Sequence, residues 1–414
     1  MNFKILGIIL YALSFIYSLF LQSVKYRSKN NQIPENVSDI YDAESYKKWQ
    51  SYHRETSFAD LVSSLVSFVI YLLLFIFDVL PKFDIGGNLY LSAALLLLFI
   101  LTLDSLTGAV FAYIYSMKID EKYGFNRMTL KTFVADQIKG WLIQTVVMIA
   151  LTLLFTLLYE SMGDWILLLF SGVIIAVVFT MIFLAPYFSR IFNKFTPLGD
   201  GELRDKLTAL LEKNGYKVRE IQVMDASRRT TKSNAYFSGL GRSKTIVLYD
   251  TLISSMTPDE IVAVFAHELG HGLHKDTFKN SFIGILQMVV IVLLTWLTVR
   301  TAAIYPDFGF DGRNYGFALV LVMVIEMPVL MPLFSLIASS VSRSAEYRAD
   351  RHAVDEGYGK ELISGLKKLA KDNLSDLSPS RIEVALTYSH PPLSLRIEAI
   401  ESAMSERREP TKES

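Results

Sequence analysis

The sequence predicts a mainly α protein: a transmembrane bundle of about seven helices with a small α+β domain apposed to the membrane. The first observation is composition, because 51% of the 414 residues are hydrophobic and the mean hydropathy is +0.34. The second is the recurrence of apolar stretches that reach the roughly 17–25 residues a bilayer requires. The third is that two polar segments, 188–280 and 341–414, lie on either side of the last two stretches.

Seven apolar stretches reach the length of a membrane span. They are residues 4–23, 58–80, 89–115, 141–159, 164–187, 281–303 and 315–340. Only the short hinge Glu160-Ser161-Met162-Gly163-Asp164 separates the fourth stretch from the fifth. The first stretch is not followed by a small-residue cleavage site, so we interpret it as a retained span rather than a signal peptide.

Basic residues in the loops indicate the orientation. Loops 25–54 and 118–139 are rich in Lys and Arg, whereas 81–88 contains one lysine and 160–164 contains no basic residue. Because cytoplasmic loops carry the excess of positive charge, seven spans place the N-terminus outside and the C-terminus in the cytoplasm. We therefore expect an integral multi-pass protein of the bacterial inner membrane or endoplasmic reticulum, with its polar segments facing the cytoplasm.

This layout divides the chain into four parts. They are five N-terminal spans in 1–187, a first polar part in 188–280, two further spans in 281–340 and a C-terminal polar part in 341–414. In the first polar part, residues 217–224 and 245–249 are rich in β-forming side chains. They predict a small sheet.

The most informative motif is His267-Glu268-Leu269-Gly270-His271. The preceding segment Thr257-Pro258-Asp259-Glu260 has the N-cap hydroxyl, first-turn proline and third-position glutamate of a helix start, so the motif lies on a helix. At about 100° per residue, His267 and His271 lie one turn apart on one face and can bind one zinc ion. Glu268 can hold a water on the open side of that metal. The polar parts therefore read as a zinc metalloprotease domain split by the last two spans.

A catalytic zinc ion usually has three protein ligands, so one is still missing. His274 lies on the same helix face but is about 10 Å along the axis from His267, too far for both to bind one ion. Glu346 is the better candidate, because it follows a span just as the motif helix precedes one. Asp350, one turn later, could accept a hydrogen bond from the second nitrogen of a zinc-bound histidine. A solvated helix face with i,i+4 ion pairs is the alternative explanation.

Together, these motifs resemble the type I CAAX prenyl endopeptidases, which are membrane-integral gluzincin metalloproteases. The residues that carry the resemblance are the zinc motif, Glu346 with Asp350, Ser233-Asn234-Ala235-Tyr236, and Ser389-His390-Pro391-Pro392 followed by Arg396. The resemblance covers almost the whole chain, including the seven-span layout and the split catalytic domain. It implies one Zn²⁺ per chain and removal of the last three residues after a prenylated cysteine.

The resemblance also implies roles beyond the metal ligands. It assigns stabilisation of the tetrahedral intermediate to His390, support of the site to Arg396, and pairing with the substrate backbone to Asn234 and Ala235. The residues themselves allow this: the extended segment 234–237 could accept a peptide by β-augmentation, and two prolines restrict the backbone at His390. On the residues alone, an ordinary edge strand and an ordinary loop histidine remain open as alternatives.

Asp104 and Glu326 are acidic residues that lie within predicted spans. A charge that faces lipid would be costly, so these side chains are expected to contact water or a partner. The resemblance implies a large water-filled chamber enclosed by the spans, which could supply that water. A neutral, hydrogen-bonded carboxyl group inside the helix bundle is equally consistent with the sequence.

The predicted activity is endoproteolysis assisted by zinc. Zinc would lower the pKa of a bound water, and Glu268 would take the proton from this water and pass it to the leaving amine. His390, with Arg396, would stabilise the oxyanion. The expected partners are a peptide or prenylated protein C-terminus and the lipid bilayer.

Composition excludes several other classes of protein. The 41 basic and 41 acidic residues balance, which excludes a polybasic nucleic-acid binder, and the lack of cysteine excludes a disulfide scaffold, a thiolate zinc site and a cysteine nucleophile. Three alternatives stay open: a heat-shock-type quality-control protease for misfolded membrane proteins, an intramembrane site-two protease and an inactive membrane scaffold. The long N-terminal block argues against the first, the polar residues 274–276 against the second, and the intact ligand set against the third.

Overall fold

Long apolar helices make up the N-terminal part of the fold. The computed structural model describes residues 2–232, 234–238 and 243–408. Five membrane-length helices come first: α1 Phe3–Ser28, α2 Ala43–Ile76, α3 Leu89–Tyr113 with a π-helical continuation Ile114–Asp120, α4 Leu130–Met162 and α5 Ile166–Phe192. Large apolar side chains such as Phe58 and Leu106 are exposed on these helices, as expected for surfaces that face lipid rather than water.

The short hinge between the fourth and fifth predicted spans is a real turn. Gly163 adopts a φ of 56°, which favours glycine, and it separates α4 from α5. The two helices run antiparallel, because Lys139 near the start of α4 lies 5.6 Å from the ring centroid of Phe192 at the end of α5. By length and hydropathy alone, residues 130–180 form one of six apolar segments. The turn divides that segment in two, consistent with the predicted seven spans.

A small α+β part follows the fifth span. Its elements are β1 Phe195–Pro197, α6 Glu202–Lys213, β2 Lys217–Met224, β3 Ala235–Ser238, β4 Ser243–Tyr249, α7 Asp250–Ser255 and α8 Pro258–Leu273. The strands form one sheet in the order β1-β2-β4-β3, in which β2 and β4 are parallel and the outer strands are antiparallel to their neighbours. The predicted sheet is present, and β3 is one of its two edges.

The core of this part lies between the sheet, α6 and α8. Leu207 and Leu211, one turn apart on α6, are fully buried, as are Ile246 and Leu248, which alternate along β4. Phe265 on α8 belongs to the same core. Burying each such side chain contributes roughly 1.5–3 kcal/mol, so α8 is held firmly on the sheet.

The last two spans flank a short connection, and the second of them continues into the C-terminal part. The elements are α9 Asp276–Arg300, α10 Ile304–Asp307, α11 Tyr315–Leu321, a π-helical segment Val322–Glu326 and α12 Met327–Asp355. Helical structure is continuous from Tyr315 to Asp355. The expected boundary between residues 340 and 341 therefore falls inside α12, and Glu346 lies on the same continuous helix as the seventh span.

Three helices complete the described chain and contact its N-terminal segment. They are α13 Gly359–Asp372, α14 Arg381–Thr387 and α15 Leu393–Arg408. The Tyr41 hydroxyl donates to the Ala370 carbonyl at 3.0 Å, and the Asn36 side chain donates to the Ser394 carbonyl at 2.9 Å. The connection between α1 and α2 is thereby fixed to the C-terminal helices.

Asp104 and Glu326 each have a hydroxyl partner. The Tyr71 hydroxyl lies 2.9 and 2.8 Å from the two carboxylate oxygens of Asp104, and the Thr298 hydroxyl donates to Glu326 at 2.8 Å. Each carboxyl group is therefore hydrogen-bonded within the helix bundle.

Candidate active site

The helix that carries the zinc motif begins with the predicted capping box. The Thr257 side chain accepts from the Glu260 N–H at 3.3 Å, and the Glu260 carboxylate accepts from the Thr257 N–H at 2.8 Å. Lys275 adopts a left-handed φ of 55° and separates α8 from α9. The two histidines of the motif thus lie in the last two turns of a well-capped helix.

A close crossing of α8 and α12 brings the third side chain to these histidines. A Cβ built at Gly270 would lie 2.8 Å from the Ala349 Cα, so only glycine permits this approach. Glu346 lies one turn before Ala349 on α12 and faces both His267 and His271. Glycine costs about 1 kcal/mol in a helix interior, and here the close crossing explains its presence.

Three potential ligands converge at this crossing. The Nε2 atoms of His267 and His271 are 3.2 Å apart, and the two Glu346 oxygens lie 3.5 Å from His267 Nε2 and 3.2 Å from His271 Nε2. A tetrahedral ion with bonds of about 2.1 Å would hold its ligand atoms about 3.4 Å apart. Among the described residues, these three form a group that could hold a metal ion.

Each histidine of the motif has a carboxylate partner at its Nδ1 atom. Asp350 lies 2.8 Å from His267 Nδ1, and Asp276 lies 3.2 Å from His271 Nδ1. Because a carboxylate can accept the Nδ1 proton in each case, the Nε2 atom of each neutral ring is available to bind a metal ion. The buried Oε2 atom of Glu346 has no hydrogen bond among the described residues. Two imidazole nitrogens and one carboxylate at this spacing are ligands that zinc accepts, so the residues fit a metal ion.

The electrostatic surroundings also favour a positive charge here. Burial of the His271 ring lowers its pKa, but hydrogen bonding to Glu346 and the charges of Glu346 and Glu268 outweigh burial and raise the pKa to about 9. A metal ion can take the place of that proton, since zinc binds the neutral ring and releases protons on binding.

Arg396 joins the site from α15. It donates to the two Asp350 oxygens at 2.9 and 2.6 Å, and its third nitrogen lies 3.3 Å from Glu346 Oε2. Both Arg396 and Asp350 are buried. The guanidinium of Arg396 compensates the charge of the buried Asp350 carboxylate. It also holds Asp350 in contact with His267.

Glu268 and His390 are more accessible than His267 and Glu346, which are buried. Glu268 is half-buried beside His267 on α8. His390 lies on the loop between α14 and α15, its side chain is 61% exposed, and its Nε2 lies 3.3 Å from Glu346 Oε1. Its Nδ1 forms a 2.8 Å hydrogen bond with the Ser389 hydroxyl. His390 therefore reaches the metal group from the side that solvent can enter.

Asn234 and Ala235 lie at the start of the edge strand. The Asn234 carbonyl accepts from the Tyr249 N–H at 3.1 Å, and its side-chain oxygen accepts from the Ala235 N–H at 2.9 Å. Ala235 packs in the same core as Phe265 of α8, so β3 lies against the motif helix. Ser233, which belongs to the same motif, lies outside the described residues.

Sequence reasoning missed Asp276, the hydrogen-bond partner of His271. Asp276 is buried at the first residue of α9, and Arg348 donates to it at 2.8 Å. The sequence feature that could have indicated this contact is the position of Asp276, an acidic residue five residues after His271 and just beyond the end of the motif helix. His274, by contrast, caps α8 through a 2.8 Å hydrogen bond between its Nδ1 and the Gly270 carbonyl, and it lies outside the metal group.

Comparison with known families and proteins shows which family the chain belongs to. The family model described as "Peptidase family M48" matches residues 197–404, and the one described as "CAAX prenyl protease N-terminal, five membrane helices" matches residues 22–194. The CAAX prenyl protease 1 homolog of Arabidopsis thaliana is 31% identical over 385 residues, which cover 89% of this chain and 90% of that protein. CAAX prenyl protease 1 of Saccharomyces cerevisiae is 28% identical over 95% of this chain and 94% of its own length.

One solved structure matches the whole fold. The crystal structure of S. mikatae Ste24p superposes with a TM-score of 0.90 at 26% sequence identity, covering 97% of this chain and 99% of that one. The similarity thus extends through the membrane helices as well as the metal group.

Proposed function

The chain belongs to peptidase family M48 and to its type I CAAX prenyl endopeptidases, and we propose that it is a zinc endopeptidase that removes C-terminal tripeptides from prenylated CAAX-type substrates. It is an integral multi-pass membrane metalloprotease. The observation that carries the proposal is the convergence of His267, His271 and Glu346 on one point, with Glu268 beside it. The basic loops support a catalytic domain that faces the cytoplasm.

The proposed chemistry divides between the metal and Glu268. His267, His271 and Glu346 would hold a zinc ion, which would supply Lewis-acid chemistry for activating water and polarising the scissile carbonyl. The Glu268 carboxylate takes the proton of the attacking water and delivers it to the leaving amine. Its half-buried position beside His267 supports this role, because Glu268 is on the motif helix yet is not in the metal group.

His390 is proposed to serve the developing negative charge, whereas Arg396 is proposed to have a different role. His390 is within 3.3 Å of Glu346, so it is close enough to the metal group to donate to the oxyanion of a tetrahedral intermediate. Arg396 is buried behind Glu346 and Asp350 and does not face the open side of the site. We therefore propose His390 as the oxyanion donor and Arg396 as a residue that positions the proposed ligands.

The substrate is proposed to pair with the edge strand β3. Main-chain hydrogen bonds would hold the peptide, with Asn234 and Ala235 at the start of the strand, so side-chain preference near the cut should be loose. Proline at a paired peptide position lacks the N–H donor and should block cleavage. Tolerance of proline at every position that flanks the cut would remove β3 from this role.

The decisive experiment compares a farnesylated CAAX peptide with its unmodified twin. Purified protein in detergent or liposomes is incubated with each peptide, and the products are identified by mass spectrometry. The proposal predicts release of the C-terminal tripeptide, faster from the farnesylated peptide. Equal cleavage of both peptides would support a broader endopeptidase, such as a quality-control protease, and failure to cleave either would refute the proposal.

A further inference from the structure

Arg343, which plays no part in the site described above, binds the C-terminal end of α14. Its Nη1 atom donates to the carbonyl oxygens of Val384 at 2.8 Å and Tyr388 at 3.0 Å, and the Ala385 carbonyl lies 3.4 Å away. The last carbonyls of a helix lack partners within the helix and carry partial negative charge. A guanidinium at this point therefore fixes both the end of α14 and the residue that follows it.

The residue that follows α14 leads directly to His390. Tyr388 accepts from Arg343, and His390 lies two residues later. At the other end of this loop, the Pro392 carbonyl accepts from the N–H groups of the first turn of α15, Leu395 at 3.1 Å and Arg396 at 3.2 Å. The loop 388–392 is thus anchored at both ends.

Backbone anchoring matters here because packing does not hold the His390 ring. The side chain is 61% exposed, and among the described residues it makes polar contacts with Ser389 and Glu346. A side chain with this exposure takes its position largely from its backbone. Arg343 also lies three residues before Glu346 on α12, a rise of about 4.5 Å. One rigid helix therefore carries both a proposed metal ligand and the anchor of the His390 loop.

We propose that Arg343 is a positioning residue that sets the distance between His390 and the metal group, and so aligns His390 with the oxyanion. This inference rests on the proposed function, because an oxyanion forms only if the protein cleaves an amide bond. It assigns no contact between Arg343 and substrate.

A second arginine on α12 provides a contrast. Arg348 lies two residues after Glu346 and donates to Asp276, which contacts His271. Loss of Arg348 should therefore weaken metal binding, whereas loss of Arg343 should leave the metal in place. Arg351, further along the helix, pairs with Glu406 and Asp355 at the surface and serves as the matched control.

A double-mutant cycle tests the inference in the zinc-loaded enzyme. Arg343→Ala is expected to lower kcat about 10-fold to 100-fold with little change in KM, because the histidine is misplaced rather than lost. In the His390→Ala background, the same change should have less than about a threefold effect. Arg343→Lys should recover part of the rate, and Arg351→Ala should match wild type. If the fold-loss in kcat of the double variant equals the product of the losses caused by Arg343→Ala and His390→Ala alone, the two residues act independently and the inference is wrong.

Hydrogen–deuterium exchange supplies a readout that needs no turnover. In Arg343→Ala, peptides from the segment 384–392 should exchange faster, while peptides from α8 exchange as in wild type and zinc content is unchanged. If the segment 384–392 exchanges at the wild-type rate in Arg343→Ala, Arg343 does not anchor the loop. If Arg343→Ala loses as much zinc as Arg348→Ala does, Arg343 instead supports metal binding. If wild type cleaves no peptide, the proposed function fails, and the exchange experiment still decides whether Arg343 holds the loop.

Discussion

Asp276 accepts a hydrogen bond from His271 across the junction between α8 and α9, with 3.2 Å between Oδ2 and Nδ1. The same carboxylate accepts from Arg348 at 2.8 Å and from Lys279 at 3.2 Å. The start of the sixth span is therefore tied to the zinc motif through one buried carboxylate. His267 has the equivalent arrangement with Asp350 and Arg396.

Asp276→Asn should weaken zinc binding without removing it. The amide can still contact His271, but it lacks the negative charge that makes the ring a stronger ligand. We expect zinc affinity to fall about 10-fold to 100-fold, as is typical when such partners are changed. Competition with a chelator measures the affinity. An Asp276→Asn protein with wild-type affinity would show that the contact does not tune the ligand.

Glu346→Ala should reduce zinc content, whereas His274→Ala should not. Glu346 belongs to the convergent group, and His274 instead contacts the Gly270 carbonyl. Metal analysis of both purified variants decides the matter. A greater loss of zinc from the His274 variant would overturn the assignment of ligands.

Gly270→Ala should destabilise the protein and displace Glu346. The new Cβ would meet the Ala349 backbone at 2.8 Å, so α8 and α12 would have to separate. Overpacking of this kind typically costs about 1–3 kcal/mol, and we expect both a lower Tm and a lower zinc content. Gly272→Ala is the control, because its nearest neighbour, the Tyr216 hydroxyl, is 3.4 Å away. Equal behaviour of the two variants would contradict the role of the close crossing.

The capping residue Glu260 should make stability depend on pH. Burial raises its pKa, but hydrogen bonds from Lys368, Ser364 and the Thr257 N–H outweigh burial and lower the pKa from 4.5 to about 2. Because the folded-state pKa is the lower one, the carboxylate stabilises the fold fully above about pH 4.5 and loses this contribution as the pH falls towards 2.

Glu260→Gln should therefore lower Tm at pH 6 and flatten its acid dependence. Removing charged hydrogen bonds of this type costs about 1.5–3 kcal/mol. Thermal unfolding of both proteins at pH 6 and pH 3.5 provides the measurement, and the difference in Tm between the two proteins should shrink at the lower pH. If the difference in Tm between wild type and Glu260→Gln is the same or larger at pH 3.5, the ionised form of Glu260 does not stabilise the fold.

Much of this architecture follows from local patterns in the sequence. Apolar length predicts the spans, and the capping box at Thr257 predicts where the motif helix begins, because both depend on residues close in the chain. The spacing of His267 and His271 predicts a shared face for the same reason. Glu346 could be predicted as a ligand only from its position after a span, together with the family resemblance.

Other features depend on contacts that no local pattern encodes. Asp276 reaches His271 because α9 begins directly after a left-handed residue, Lys275. The Arg343 contacts join residues about 40 positions apart and depend on how α14 packs on α12. The sequence did not predict that α12 continues through residue 340, because the composition changes there from apolar to polar although the helix does not end.

The most direct test of the central claim is a paired assay of zinc content and turnover in Glu268→Gln. The amide can hold a water but cannot accept its proton, so binding and chemistry should separate. We predict one zinc ion per chain, as in wild type, with no detectable cleavage of a CAAX peptide that wild type cleaves. Substantial cleavage by the zinc-loaded variant would contradict the account.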